Sequence, residues 1–153
     1  MKIQFLSSSL LGACVTASLM VAASGVASAG PRTACDVLSL AEVRSLAGAQ
    51  LVVFEPGSSP ATTRGDTTVS TCTYVQTDAS GRQVNGLGAK FTLMWGPKDK
   101  LTQTNDYYVK RHIEASGMKG DVLVVAWIGD ASKGKAGDWS ASQKLLAAVL
   151  QKL

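Results

Sequence analysis

The segment Ser28–Gln50, SAGPRTACDVLSLAEVRSLAGAQ, places a cysteine just ahead of a strongly marked helix start and just after a long apolar N-terminus. Ser39-Leu40-Ala41-Glu42 has the form of a capping box. The Ser39 hydroxyl can accept from the Glu42 N–H, and the Glu42 carboxylate can reach back to the Ser39 N–H. Leu38 and Val43 stand where a hydrophobic staple closes, Leu40, Val43 and Ala47 form one apolar stripe, and Gly48 supplies the stop. This pattern predicts a helix over 40–47, and the question it leaves is what Cys35 does beside it.

The answer begins upstream. Lys2 is the only charge before Arg32, Phe5–Val26 is apolar and small, and Ala27-Ser28-Ala29 offers the small-x-small pattern of a signal-peptidase site. The leader is expected to span 1–29, leaving one domain over 30–153. Two readings compete with it. A retained membrane anchor is opposed by Ser7, Ser8, Ser9, Gly12, Ser24 and Gly25, which dilute the run. Lipidation at Cys14, in a Leu11-Gly12-Ala13-Cys14 box, is opposed by the apolar stretch continuing well past that cysteine. The expected destination is the periplasm or the medium, with no transmembrane segment in the mature chain.

Cys14 leaves with the leader, so Cys35 and Cys72 remain as an even pair in an oxidising compartment. A bridge between them would pin the start of the first helix to a strand. Two unpaired thiols are the alternative, and the compartment disfavours them. Fifteen basic residues less Lys2 leave fourteen against eleven acidic ones, a net charge of +3 for the mature chain. That balance permits an anionic partner without requiring one, and nothing in it calls for nucleic acid.

The remaining chain alternates strand and helix signals. Leu51–Phe54 reads as a short strand ended by Pro56-Gly57, and Glu55–Asp66 as an exposed loop. Thr67–Gln76 is β-branched, with Cys72 and Tyr74 on one face by the two-residue period. Ser80-Gly81 and Asn85-Gly86 mark a turn before a strand over Lys90–Trp95, giving an antiparallel hairpin. Pro97 opens a helix carrying Leu101, Tyr108, Val109, His112 and Ile113, broken by Gly117 and Gly120. Asp121–Ile128 is apolar on both faces and reads as a central strand. Leu145, Leu146, Val149, Leu150 and Leu153 line a last helix capped by Asp138 or Ser140. The expected fold is α+β: a single-layer antiparallel sheet of about four or more strands with helices packed on it, in the order α-β-β-β-α-β-α.

Candidate chemistry is sparse. Gly129–Ala136 matches G-x-x-x-x-G-K, but Ala136 replaces the magnesium-binding hydroxyl and Asp130 puts a negative charge inside the cradle. It reads as a glycine- and lysine-rich turn. His112 is the only histidine, which disfavours multi-histidine zinc sites, and no Gly-x-Ser-x-Gly elbow accompanies it. Neither a metal nor a cofactor is expected, and no catalytic residue is assigned. Asp121, Asp130 and Asp138 read as turn and cap residues. Lys98, Lys100, Lys110, Arg111, Lys119, Lys133 and Lys135, with Tyr107 among them, would form an anion-binding face only if the middle helix and last loop were neighbours. Trp95, Trp127 and Trp139 read as core and edge packing.

Cys35–Glu42, CDVLSLAE, followed by Cys72-Thr73-Tyr74, resembles a group of small bacterial secreted and lipoprotein domains. These open with a C-D-L-L-[ST]-x-x-E helix and carry a later C-x-Y strand. The resemblance implies an α+β domain, a Cys35–Cys72 bridge with Tyr74 packed beside it, and no catalytic residues to carry over. The function expected is an exported non-enzymatic domain that binds a protein or an anionic envelope component. The alternatives are an envelope hydrolase using aspartates near His112, or a structural or inhibitory accessory protein. Intact mass of the exported chain is expected to begin at Gly30 and to lie two hydrogens below the reduced mass. A chain retaining Ala29, or carrying a lipid on Cys14, would show in the same spectrum.

Overall fold

Ser39 opens the first helix through its own side chain. Its Oγ accepts from the Glu42 N–H at 3.3 Å, and Glu42 Oε2 accepts from the Ser39 N–H at 2.8 Å, so the capping box closes and α1 runs Leu40–Ala47. Gly48 ends α1 in the left-handed conformation. A single 3₁₀ turn, Ala34–Asp36, precedes it and carries Cys35, bonded to Cys72 with 5.0 Å between their Cα atoms. The computed structural model describes residues 33–112, 114–130 and 138–153. The expected leader with Cys14, Ile113 of the expected middle helix, and residues 131–136 of the Gly129–Ala136 stretch lie outside the described residues.

Among the described residues six strands make one antiparallel sheet: β1 (Leu51–Val53), β2 (Ser59–Arg64), β3 (Thr67–Thr77), β4 (Gln83–Trp95), β5 (Ala115–Lys119) and β6 (Val122–Asp130). The order is β1-β3-β4-β6-β5, and β2 pairs with the same edge of β3 that β1 uses further along. Helix α2 (Lys98–Arg111) connects β4 to β5, and α3 (Trp139–Lys152) follows β6.

Strand alternation divides the interior. Val122, Val124, Ala126 and Ile128 of β6 point to one face with Phe91 and Leu93 of β4 and Cys72 and Tyr74 of β3; α1 and α3 cover it through Val43, Leu145 and Val149. The Tyr74 ring stacks on Phe91 with centroids 6.2 Å apart, and burial pushes the Tyr74 hydroxyl up to about 12. Leu123 and Val125 point to the other face and meet Leu101 and Tyr108 of α2, with Met94 and Met118. The second face therefore carries its own apolar cluster. Gly117 lets β5 approach α3, because a Cβ there would lie 3.3 Å from Leu150 Cδ1 and 3.5 Å from Leu146 Cδ2.

The α+β class with an antiparallel sheet is what forms, but the single layer and the element order are corrected. Helices sit on both faces, because β6 is apolar on both and each side must be covered. Two strands are added. The stretch 59–64, expected as loop, is β2: its polar residues suit an edge, where Pro60 is tolerated and only one side must pair. The stretch 115–119, expected as a helix end, is β5, recruited by pairing with β6. Asn85-Gly86 lies inside β4 rather than in the turn, where the β3–β4 register shifts between Val75 and Thr77. The N-terminal turn is also tied by a buried relay: Ala34 N donates to Ser70 Oγ at 2.8 Å, and Ser70 Oγ donates to the Ser59 carbonyl at 2.9 Å.

Replacing Cys35 and Cys72 by serine is expected to cost about 2–4 kcal/mol, since the bridge closes a loop of 37 positions. Denaturant melts with and without reductant measure it. Glu42 accepts from Lys152 and from the Ser39 N–H, which hold its carboxyl down at about 2 against an ordinary 4.5. A depressed carboxylate contributes stability above its unfolded value and loses it as pH falls toward the folded one. Tm is therefore expected to decline between pH 4.5 and about 2, with a smaller decline in Glu42→Gln.

Candidate functional site

On β3 of the second face the Glu55–Gly57 turn packs against Thr73, while helix α2 packs on β5 and β6. Beyond it lie Val69, Thr71, Thr73 and Val75 of β3, Lys90 of β4 and Trp127 of β6, all half-buried, with buried Thr92 among them. Register sets four of the chemistry-bearing residues in one row across the sheet. Thr73 is opposite Lys90, and Lys90 is opposite Trp127. Glu114 stands one step beyond the Ala115–Ala126 pair, next to Trp127. Lys90 Nζ reaches Glu114 Oε1 at 2.8 Å, so an ion pair bridges the strand that carries Trp127.

Side chains around the row are held by specific bonds. Thr73 Oγ1 donates to the Gly57 carbonyl at 2.5 Å, and the Thr71 and Thr92 hydroxyls are 3.0 Å apart. The Trp127 ring lies over Gly88: a Cβ at Gly88 would sit 3.4 Å from Trp127 Cζ3 and 3.1 Å from the Tyr74 carbonyl. A side chain there would crowd the Tyr74 carbonyl and touch the indole. A cleft of about 200 Å³ opens beside the ring, between Trp127, Val75, Gln76 and Val84. Burial is the main cause, and the Glu114 charge the next, of a Tyr108 hydroxyl raised above the ordinary tyrosine value.

A second feature lies at the end of α2. Arg111 stacks over the Tyr107 ring at 4.5 Å, Tyr107 meets Tyr108 edge-on, and the His112 ring meets Trp139 edge-on at 5.3 Å. Tyr107 and Trp139 are 49% and 39% exposed. His112 is left-handed, φ +50°, the only non-glycine residue so placed among the described residues. It closes the helix there by donating its N–H to the Tyr108 carbonyl.

The sequence candidates fall as follows. Cys35 and Cys72 are bonded to each other. Gly129 and Asp130 belong to β6, and the rest of the phosphate-loop mimic lies outside the described residues, as do Lys133 and Lys135. His112 contacts Trp139, not a carboxylate, among the described contacts. Glu114 follows the end of the helix and pairs with Lys90. Asp138 caps α3, accepting from the Ala141 N–H at 3.0 Å, and Asp121 is exposed at the β5–β6 turn. The lysines of the proposed basic face are engaged separately: Lys100 with Asp66, and Lys119 with the Leu150 carbonyl. Trp95 packs on the core, whereas Trp127 and Trp139 do not. Sequence reading missed the Thr73–Lys90–Trp127–Glu114 row; the phase of Trp127, opposite to Val124 and Ala126, was its available signal.

Comparisons with protein-family models, with curated proteins and with solved structures find no match to this chain.

Lys90→Met is expected to cost about 1–2 kcal/mol, because the mostly buried Glu114 carboxylate loses its partner, and K90M/E114Q to recover most of it. Denaturant melts of the three variants check this. In Glu114→Gln, Tyr108 is expected to ionise at lower pH than in the wild type, yet still above an ordinary tyrosine, since burial persists. Tyrosine-resolved NMR titration reads it.

Proposed function

We propose that the mature chain is an exported, non-catalytic binding module that docks an envelope component on the open half of its second sheet face. The observation that carries the reading is the row Thr73–Lys90–Trp127–Glu114, which crosses the sheet beside α2, close enough for the Glu114 and Lys90 charges to act on Tyr108. A sheet face buried by no helix ordinarily presents short polar residues to water. This one presents an indole laid on glycine, an ion pair and two threonines, all borne on strands and therefore rigidly placed. Export is supported by the leader-like sequence and the disulfide. Kinship with small bacterial secreted domains is part of the proposal, supported by the Cys35–Glu42 and Cys72–Tyr74 motifs, which meet at the bridge.

A protein partner is the second reading, favoured by Tyr107, Arg111 and Trp139. Tryptophan, tyrosine and arginine are the residue types that dominate interface energies. The two surfaces separate in one assay. Purified mature protein is expected to cosediment with washed cell envelopes, and Trp127→Ala to abolish most of that retention while Y107A/W139A leaves it unchanged. The reverse pattern would move the docking surface to the end of α2, and equal retention of both variants would defeat the open-face reading.

A further inference from the structure

Resting on the open-face reading, we infer that the cleft beside Trp127 takes one ring of an uncharged envelope glycan. Lys90 and Glu114 neutralise one another at 2.8 Å, so the row offers hydrogen-bonding groups without a net charge for an ionic ligand. Gly88 and Gly86 leave the cleft floor without side chains, the Trp127 indole lies against Gly88, and Val75 stands directly across from Gly88 on β3. At about 200 Å³ the space suits a single sugar ring and is smaller than the sites that enclose drug-sized ligands.

The chemistry matches on both sides of such a ring. A pyranose presents a face of C–H groups, slightly positive, to which the negative face of an indole is attracted. Its rim carries hydroxyls that both donate and accept. On the cleft wall, at the β3–β4 register shift, Gln76 uses Oε1 to accept from the Leu87 N–H at 3.2 Å, and its amide nitrogen carries the remaining donors. Thr73 spends its proton on the Gly57 carbonyl, so its oxygen is left as an acceptor. Indole, amide and hydroxyl thus line one cleft beside the register shift between Val75 and Thr77.

The test uses the purified mature protein against a panel of soluble neutral oligosaccharides, spanning hexose and N-acetylhexosamine oligomers, by titration calorimetry. At least one is expected to bind, with affinity falling about tenfold or more in Trp127→Ala. Val75→Trp fills the cleft from a strand position that accepts aromatics, and is expected to abolish binding with an unchanged Tm. Affinity is expected to be insensitive to added salt. Absence of binding across the panel, or unchanged affinity in both variants, overturns the inference. So does binding only to charged oligosaccharides with steep salt dependence. Envelope retention that depends on Trp127 alongside a silent neutral panel would reject the sugar and keep the open-face reading; loss of both rejects both.

Discussion

The architecture depends on one strand being apolar on both faces. Residues 122–126 and 128 of β6 are all buried, and because side chains alternate, Val124 and Val125 must be covered from opposite sides. Helices α1 and α3 supply one cover. The other is supplied by α2, whose position follows from connectivity: it joins β4 to β5, and β6 lies between those two strands, so the helix crosses over β6. That route takes it away from β3. The same constraint that buries Leu123 and Val125 leaves Thr73 and Val75 away from α2, and Thr73 meets the Glu55–Gly57 turn instead.

The disulfide acts on the other side of the sheet. Cys35 lies in the 3₁₀ turn before α1, Cys72 is fully buried in β3, and the Ala34–Ser70–Ser59 hydrogen bonds run alongside. The short edge strands β1 and β2 and the first helix are thereby gathered on the strand that also bears Thr73 and Val75. Stability and candidate recognition share β3 but use opposite faces of it. Side chains at even positions, Cys72 and Tyr74, belong to the core, and those at odd positions, Thr73 and Val75, to the open strip. Changes on the strip can therefore alter binding while the core stays packed.

Much of the first half was legible because its signals are local. The capping box, the Gly48 stop and the alternation through Cys72 and Tyr74 are properties of neighbouring residues, and the structure carries each in place. The edge strand β2 was not legible, since a run of serine, proline and threonine resembles a loop until β3 offers it a partner. Nor was β5, whose Ala-Ser-Gly-Met-Lys has too little pattern of its own. The candidate site suffered most from this. Without β5, nothing placed Glu114 next to Trp127, and its meeting with Lys90 across that strand could not be seen.

The amino-acid sequence by itself determined the class of the fold, the helix that begins at Ser39, the pair of cysteines available for a bridge, and the strand that had to lie centrally. Each follows from short-range periodicity, capping chemistry or composition. Only the tertiary structure decided that both sheet faces carry helices, that two weakly patterned segments become edge strands, and that Thr73, Lys90, Trp127 and Glu114 share a row. The physical reason is that edge-strand pairing and helix footprint are set by which strands become neighbours. That choice minimises exposed apolar surface over the whole chain, and no local segment encodes it.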